Sequence, residues 1–383
     1  MPKALLDCDA FFASCEQARN PSLRGLPVLI SGPVGTRSVV SSASYPAKRK
    51  GVKAGMPPEK ALELCPGAII VGGDFSYYLS VHRRMESRLI EMGLDVESSS
   101  IDEFYADFRG TYREAHDILA GYSSWVETAL GITVSVGLAP TRVLAKLASE
   151  IVKPRGMSVL LPESLPAALD GLAVERLLGI GKATADFLHR AGIRTLGQLR
   201  QAPCEVLGQM GLDSKSIRAI LAGESDSVDE DNGLTPKSVS CRMTLPYDVD
   251  DQKSLEHCIF YLADRVSSRM RRHKQCARKL TLILRSPDFV TVQRSVTLKR
   301  ALYTGFESAE QALRVFRAHF TQGDRVRLIG LCLGGLSNIE DAGLDLPLLP
   351  EDRKRLDLTS AMDLIRSRYG DSSLSIASAS GIL

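Results

Sequence analysis

The feature that most constrains this chain is an order of elements that occurs twice. Apolar alternation, helical periodicity and turn residues predict strand, helix, strand, strand, helix, strand near the N-terminus and again in the C-terminal half. The first set takes Lys3–Asp9, Phe75–Met92, two strands within "DVESSSIDEFYADF", Arg113–Leu130 and "ITVSVGLA". The second takes Val239–Leu245, Asp251–His273, Lys279–Arg285, Thr291–Lys299, Phe306–Phe320 and Val326–Leu333. Each set fits a ferredoxin-like layer, so the expected fold class is α+β. The two share order and not sequence, so no internal repeat is read.

Other elements fill in around them. Val28–Ser31 and Ser38–Ser42 read as a turn-rich hairpin, Pro58–Leu64 as a helix and Ala68–Val71 as extended. "TRVLAKLASEIVK" reads as a helix stopped by Pro154, and Ser164–Ala222 as all-helical. Glu224–Pro236 is acidic and turn-rich, an interdomain linker, and the tail from Asn338 is less regular.

The first strand ends in charge, "LLDCDAFF". Strand alternation puts Asp7 and Asp9 on one face and Cys8 on the other. In a ferredoxin-like layer this strand runs beside the hairpin carrying "SSSIDEF", which brings Asp102 and Glu103 near Asp7. Clustered carboxylates repel one another and resist burial, so such a cluster calls for cations. An oxygen donor set without His or Cys side chains suits Mg²⁺ rather than zinc. Two Mg²⁺ on shared carboxylates are the machinery of in-line phosphoryl transfer. A "DxD" alone is more simply a solvated strand end; its pairing with "IDE" in one layer favours the metal reading.

Three stretches suit phosphate. "SSASYPAKRKGVKAGMP" packs four Lys/Arg with a tyrosine and small hydroxyls, a triphosphate cradle or a solvated basic turn. In "AKLASEIVKPRG", Lys146, Ser149 and Lys153 share a helix face, although Lys153 also complements the helix macrodipole. "LLGIGKATADFLHRAGIRTLGQL" places Gly179-Ile180-Gly181 between two helical stretches, so that backbone N–H groups meet phosphate at a helix start. That is the helix-hairpin-helix pattern, which grips a nucleic-acid backbone without reading sequence.

Composition narrows the class. The net charge of +3 hides an asymmetry: Lys237 to Arg327 holds 18 Lys/Arg against 9 Asp/Glu, leaving the rest of the chain acidic overall. A basic module beside an acidic body suggests a polyanion partner or a solvated basic face. Eight cysteines without CxxC pairs indicate neither a zinc site nor a disulfide framework, and free thiols fit a reducing cytoplasm. No apolar run reaches membrane-span length, and Asp7 and Asp9 interrupt any signal-peptide reading.

Together, "LDCDAFFASCEQ", "SYPAKRKGVKAGM", "SSSIDEF", "GLAPTRVLAKLASEIVKPRG" and the helix-hairpin-helix resemble the Y-family of DNA polymerases, the translesion enzymes, and most of all its DNA polymerase IV branch. The resemblance runs in order from about Ala4 to Gly335. It implies a right-hand polymerase: palm at 1–18 and 73–161, fingers at 19–72, a helical thumb at 162–223, a linker at 224–236, a DNA-gripping little finger at 237–337 and a tail at 338–383. By position, Asp7, Asp102 and Glu103 resemble the catalytic metal ligands, with the backbone carbonyl of Cys8 completing the site for two Mg²⁺. Asp9 matches a supporting acidic position. Phe12 matches the steric gate against ribonucleotides, and Phe11 a neighbour at the incoming nucleotide. Ser42, Tyr45, Lys48 and Lys153 match triphosphate contacts, and Gly179, Gly181 and Lys182 fall at the DNA-backbone grip. The implied partners are primer–template DNA and deoxynucleoside triphosphates, and the implied state is a monomer without proofreading.

Departures are specific. The family's "YEAR" is here "YPAK", with Pro46 and Lys48, so Arg49 is a second candidate for the triphosphate; "ASD" is here "ASE", with Glu150. The tail segment Leu344–Asp352, "LDLPLLPED", is either a sliding-clamp peptide or a plain docking strand. Intact carboxylates argue against a non-catalytic DNA-binding scaffold. The helix-hairpin-helix and basic module have no place in a nucleotide cyclase.

Overall fold

The computed structural model describes residues 1–209, 211–226, 236–321, 323–339, 350–371 and 373–375. Two compact units divide the chain, Met1–Asp231 and Asn232–Leu383, with the division inside the expected linker.

The first unit begins with β1 (Lys3–Cys8) and α1 (Phe11–Arg19). A small lobe follows: β2 (Val28–Ile30), β3 (Ser42–Ala43), α2 (Tyr45–Lys48), α3 (Pro58–Leu64) and β4 (Ile69–Val71). Then come α4 (Phe75–Glu91), β5 (Asp95–Ser98), β6 (Glu103–Asp107), α5 (Tyr112–Leu130), β7 (Val134–Ala139), α6 (Arg142–Ile151) and β8 (Met157–Val159). Five short helices close the unit: α7 (Leu165–Leu169), α8 (Lys182–Arg190), α9 (Leu196–Gln201), α10 (Cys204–Gly208) and α11 (Ser214–Ala222).

The main sheet has the order β5-β6-β1-β7-β8. Its first four strands follow the ferredoxin-like connection expected, and β8, not anticipated, pairs parallel to β7 at the edge. β1 is covered on both faces, which explains its unbroken apolar run. Ala4, Leu6 and Cys8 pack with α4 and α5, while Leu5 packs with α6 and the short helices. Leu5 and Leu6 are fully buried, each contributing roughly 1.5–3 kcal/mol by that burial. Gly137 in β7 has a particular purpose. A Cβ there would stand 1.9 Å from the Ala145 carbonyl oxygen and 2.5 Å from the Ser149 nitrogen, so glycine is what lets α6 lie against the sheet.

The small lobe is a three-stranded sheet in the order β3-β2-β4. The hairpin expected from Ser38 begins only at Ser42, because Val40 pairs its backbone with Gly55 and Met56 instead of with β2. Pro46 is accommodated in the first turn of α2, where no intrahelical donor is required of it.

The second unit comprises β9 (Ser238–Val249), α12 (Gln252–Arg272), β10 (Gln275–Arg285), β11 (Thr291–Leu302), α13 (Gly305–His319), β12 (Val326–Asn338) and α14 (Pro350–Tyr369). Its element order matches the first layer, but its sheet runs β11-β10-β12-β9. The second strand of the hairpin is therefore at the edge here and interior in the first unit. α12 and α13 cover one face through Leu280, Leu282, Ile329, Leu331 and Leu333. The opposite face follows from the register: Ser238, Ser240, Arg242 and Thr244; Leu328, Gly330, Cys332 and Gly334; Lys279, Thr281, Ile283 and Arg285; Thr291, Gln293, Ser295 and Thr297. It carries three cations, a row of hydroxyls and, among these residues, no acid.

The tail expected to be irregular contains the 20-residue α14. Its inward face is mostly polar, with Met362 the buried apolar side chain among its described residues. Arg366 donates to both oxygens of Asp264 on α12 (3.1 and 2.6 Å), and Arg271 of α12 donates to both oxygens of Asp363 (2.6 and 2.9 Å). Leu358, Leu364, Ile365 and Tyr369 are exposed, so the usual amphipathic signal is missing. The candidate clamp segment Leu344–Asp352 lies outside the residues whose placement and side chains are described. Among the described residues, no helix is long and apolar enough to cross a membrane.

Candidate active site

β1 and β6 pair antiparallel with Asp7 opposite Glu103. The backbone N–H of Cys8 donates to the carbonyl of Asp102 at 2.9 Å, locking the turn before β6 beside the end of β1. The expected residues Asp7, Cys8, Phe11, Ser42, Tyr45, Lys48, Asp102, Glu103 and Lys153 line one pocket of about 210 Å³. A larger cavity of about 530 Å³ in the second unit is floored by Leu282, Leu284, Val292 and Phe320. It gathers no comparable set of carboxylates, so chemistry rather than size selects the smaller pocket.

Each acid in the pocket is held by a neighbour. Lys153 Nζ donates to Asp7 Oδ2 at 2.6 Å and to Glu150 Oε1 at 2.5 Å. Lys146 Nζ donates to Glu103 Oε1. Ser100 Oγ donates to Asp102 Oδ1 at 2.5 Å. Asp7 is 3 % exposed, and burial pushes its carboxyl up to about 7; Lys153 opposes the shift, and Glu103 and Glu150 add to it. Burial also works against the charge on Lys153, but Asp7 and Glu150 more than offset it and raise its pKa.

Asp9 has a different role. Its carboxylate accepts from Thr133 Oγ1 (2.7 Å), Ser135 Oγ (2.8 Å), Tyr45 OH (3.2 Å) and the backbone N–H of Arg155 (2.8 Å). Asp9 is a buried joint between β1, β7, α2 and the chain after α6. This hub was only partly anticipated, yet "ITVSV" carried the signal: Thr133 and Ser135 alternate with valines and so share one face.

Tyr45 therefore spends its hydroxyl on Asp9; burial first, then the charge of Asp9, hold its pKa above the ordinary tyrosine value. Lys48 lies over the Tyr45 ring at 4.8 Å, and burial together with the charge of Lys153 lowers its pKa. Ser42 Oγ accepts from the backbone N–H of Ala13 at 3.4 Å. Phe11 is buried at the pocket wall. Phe12 is half-buried beside it and stacks on Tyr78 at 4.5 Å and 15°, with Tyr78 OH donating to Glu16 at 2.9 Å.

The Gly-Ile-Gly turn stands apart from this pocket. Gly179 has φ +95°, a conformation that favours glycine, and Gly181 is the N-cap of α8 with no side-chain cap. The helix expected before the turn is a single 3₁₀ turn, Val174–Arg176. Gly181 and Lys182 are exposed at the start of α8.

Whether a metal fits can be judged from the donors. They are hard oxygens, one of them on a buried carboxylate whose ionisation is resisted, and a divalent cation would relieve that cost. As arranged here, among the described residues no three acidic, His or Cys side chains converge into a ready cage.

Comparison with known proteins agrees with these features. The impB/mucB/samB family matches residues 6–150, and the C-terminal domain of that family matches residues 236–346. DNA polymerase IV of Caulobacter vibrioides is 34% identical, covering 96% of this chain and 91% of its own. DNA polymerase IV of Moorella thermoacetica is 33% identical, covering 96% and 93%. Among solved structures, a Y-family DNA polymerase chimera of Dbh and Dpo4 shares the fold with a TM-score of 0.76 at 24% identity, over 88% of this chain and 100% of that one. With the carboxylate pair in register, the basic pocket and both family domains present, the chain belongs to the Y-family of DNA-directed DNA polymerases, in the DNA polymerase IV branch.

Proposed function

We propose that this polymerase performs low-fidelity, translesion DNA synthesis in DNA repair, adding deoxynucleotides to a primer 3′-hydroxyl. The observation that carries the site assignment is the gathering of Asp7, Asp102, Glu103, Lys48 and Lys153 around one pocket. Two Mg²⁺ are the fitting cofactors, with Asp7, Asp102, Glu103 and the carbonyl of Cys8 as their ligands. Bound there, they supply activation of the attacking oxygen and stabilisation of the pyrophosphate leaving group. The protein's own groups do the rest. Lys153, Lys48 and Ser42 bind and orient the triphosphate, and Tyr45 joins them by releasing its hydroxyl from Asp9. Phe12, braced on Tyr78, closes the space beside the sugar C2′ and excludes ribonucleotides.

The domain reading follows the same logic: palm at 1–18 and 73–161, fingers at 19–72, thumb at 162–223 and little finger at 237–337. Gly179, Gly181 and Lys182 offer backbone donors and a charge to a phosphate. The open face of the second sheet, with Arg242, Lys279 and Arg285 among hydroxyls, suits a duplex backbone. The direct test is primer extension with Mg²⁺ and four deoxynucleotides, wild type beside Glu103→Gln. Extension by the wild type alone supports the reading. No extension by either, with DNA still bound, would replace it with a non-catalytic scaffold.

A further inference from the structure

Two lysines from one segment face two carboxylates of the sheet. Asp7 and Glu103 are direct partners across β1 and β6, and like charges directly opposite each other weaken strand pairing. α6 supplies the relief. Its close approach over Gly137 brings Lys146 to Glu103 and, just past the helix end, Lys153 to Asp7.

The two ammonium groups are not equivalent. Lys153 follows the end of α6 at Ile151 and has a second carboxylate, Glu150, within 2.5 Å. It can leave Asp7 and remain paired. Lys146 lies mid-helix, next to Ala145, whose carbonyl forms the tight contact over Gly137. Its side chain is 23 % exposed, that of Glu103 is 20 % exposed, and the bond engages Oε1 of Glu103. A carboxylate held by one oxygen cannot swing freely, and its other oxygen remains available to a ligand.

Resting on the polymerase reading above, we propose that Lys146 is a positioning residue that fixes Glu103 for a divalent ion, while Lys153 is the exchangeable member of the pair. Lys146 acts through Glu103 and touches no substrate. Lys153 serves Asp7 when the pocket is empty and the triphosphate when it is filled.

The test separates binding from turnover. Mn²⁺ binding is titrated by electron paramagnetic resonance on the full chain, with a dideoxy-terminated primer–template and the matching deoxynucleotide, so no bond forms. Lys146→Met is expected to weaken Mn²⁺ binding about 10-fold and to lower kcat about 10- to 100-fold, with the nucleotide KM changed by less than about 2-fold. Lys146→Arg restores most of both, and Lys153→Met shows the opposite split, a raised KM. Lys146→Gln is carried alongside, with melting curves, in case the Met variant folds poorly. Unchanged Mn²⁺ affinity in folded Lys146→Met or Lys146→Gln would overturn the inference. So would a raised KM with kcat intact, which would make Lys146 a triphosphate contact, or an Arg variant no better than Met. Failure of the polymerase reading looks different: the wild type itself would extend no primer.

Discussion

The chain builds the same succession of strands and helices twice and uses the two sheets in different ways. The first is covered on both faces, by α4 and α5 on one side and α6 with the short helices on the other. Its candidate site lies at the strand ends, where Asp7 and Glu103 pair beside a packed core. The second is covered by helices on one face, and its other face is a broad surface of cations, hydroxyls and glycines with Ile283 and Leu328 among them. On the function proposed above, coverage separates a point-like site from an extended one. A double-sided core holds a few atoms rigidly, as catalysis demands, and a single-sided sheet offers area, as a polyanion demands.

The largest effect that could break this contrast is at the strand ends. Glu103→Gln should reduce primer extension by about 10³-fold while leaving DNA affinity nearly intact, measured by extension and by fluorescence anisotropy. A parallel fall in DNA binding would mean that the first sheet also provides the grip.

Next is the tolerance of each sheet to an added methyl. Gly137→Ala should destabilise the protein by about 3 kcal/mol, the upper end for overpacking, because the clash is with helix backbone that cannot turn aside. Gly334→Ala, whose Cβ would meet Lys279 Cβ only at 4.0 Å, should stay within about 0.5 kcal/mol in the same denaturation experiment. Equal losses would erase the difference in coverage.

The pocket's shape comes third. Phe12→Ala should lower discrimination against ribonucleotides by about 10²-fold in single-nucleotide insertion assays. Unchanged discrimination would take the gate away from Phe12. Joint replacement of Arg242, Lys279 and Arg285 by alanine should reduce the slope of log affinity against log salt by about 3, with turnover at saturating DNA preserved. A fall in turnover at saturation would contradict a purely gripping role.

The smallest effect sharpens the account of Asp7. Its folded pKa of about 7 lies above the ordinary 3.8, so the ionised carboxylate costs stability. That cost is absent below about pH 4, grows through the window and is complete above about pH 7. Without divalent ions, Asp7→Asn should therefore be more stable than wild type at pH 8, by about 1–3 kcal/mol, and lose the advantage towards pH 4. A difference independent of pH would show that burial is not the cause.

Much of this architecture could be read from residue patterns. The first sheet's strand order follows from element order, and that order already put Glu103 beside Asp7. The second sheet's connectivity did not follow, because the same succession allows either strand of the central hairpin to lie inside. Val40 pairs with a loop rather than a strand, which no local propensity encodes. α14 escaped notice because it turns polar residues inward, and periodicity detects helices that do the reverse. In the pocket, the acids and lysines were legible from their types. Which lysine would hold which acid was not, because that depends on how closely α6 approaches over a single glycine.

α14 also changes what a truncation means. Asp264 and Arg271 are both buried on α12, and their counter-charges, Arg366 and Asp363, come from the last helix. A chain cut before Pro350 leaves two opposite charges on α12 without those partners. A deletion intended to remove a docking tail would therefore also strip two counter-charges from the module that carries it. For this protein the last described helix is part of the second unit's ion pairing and not a detachable appendage.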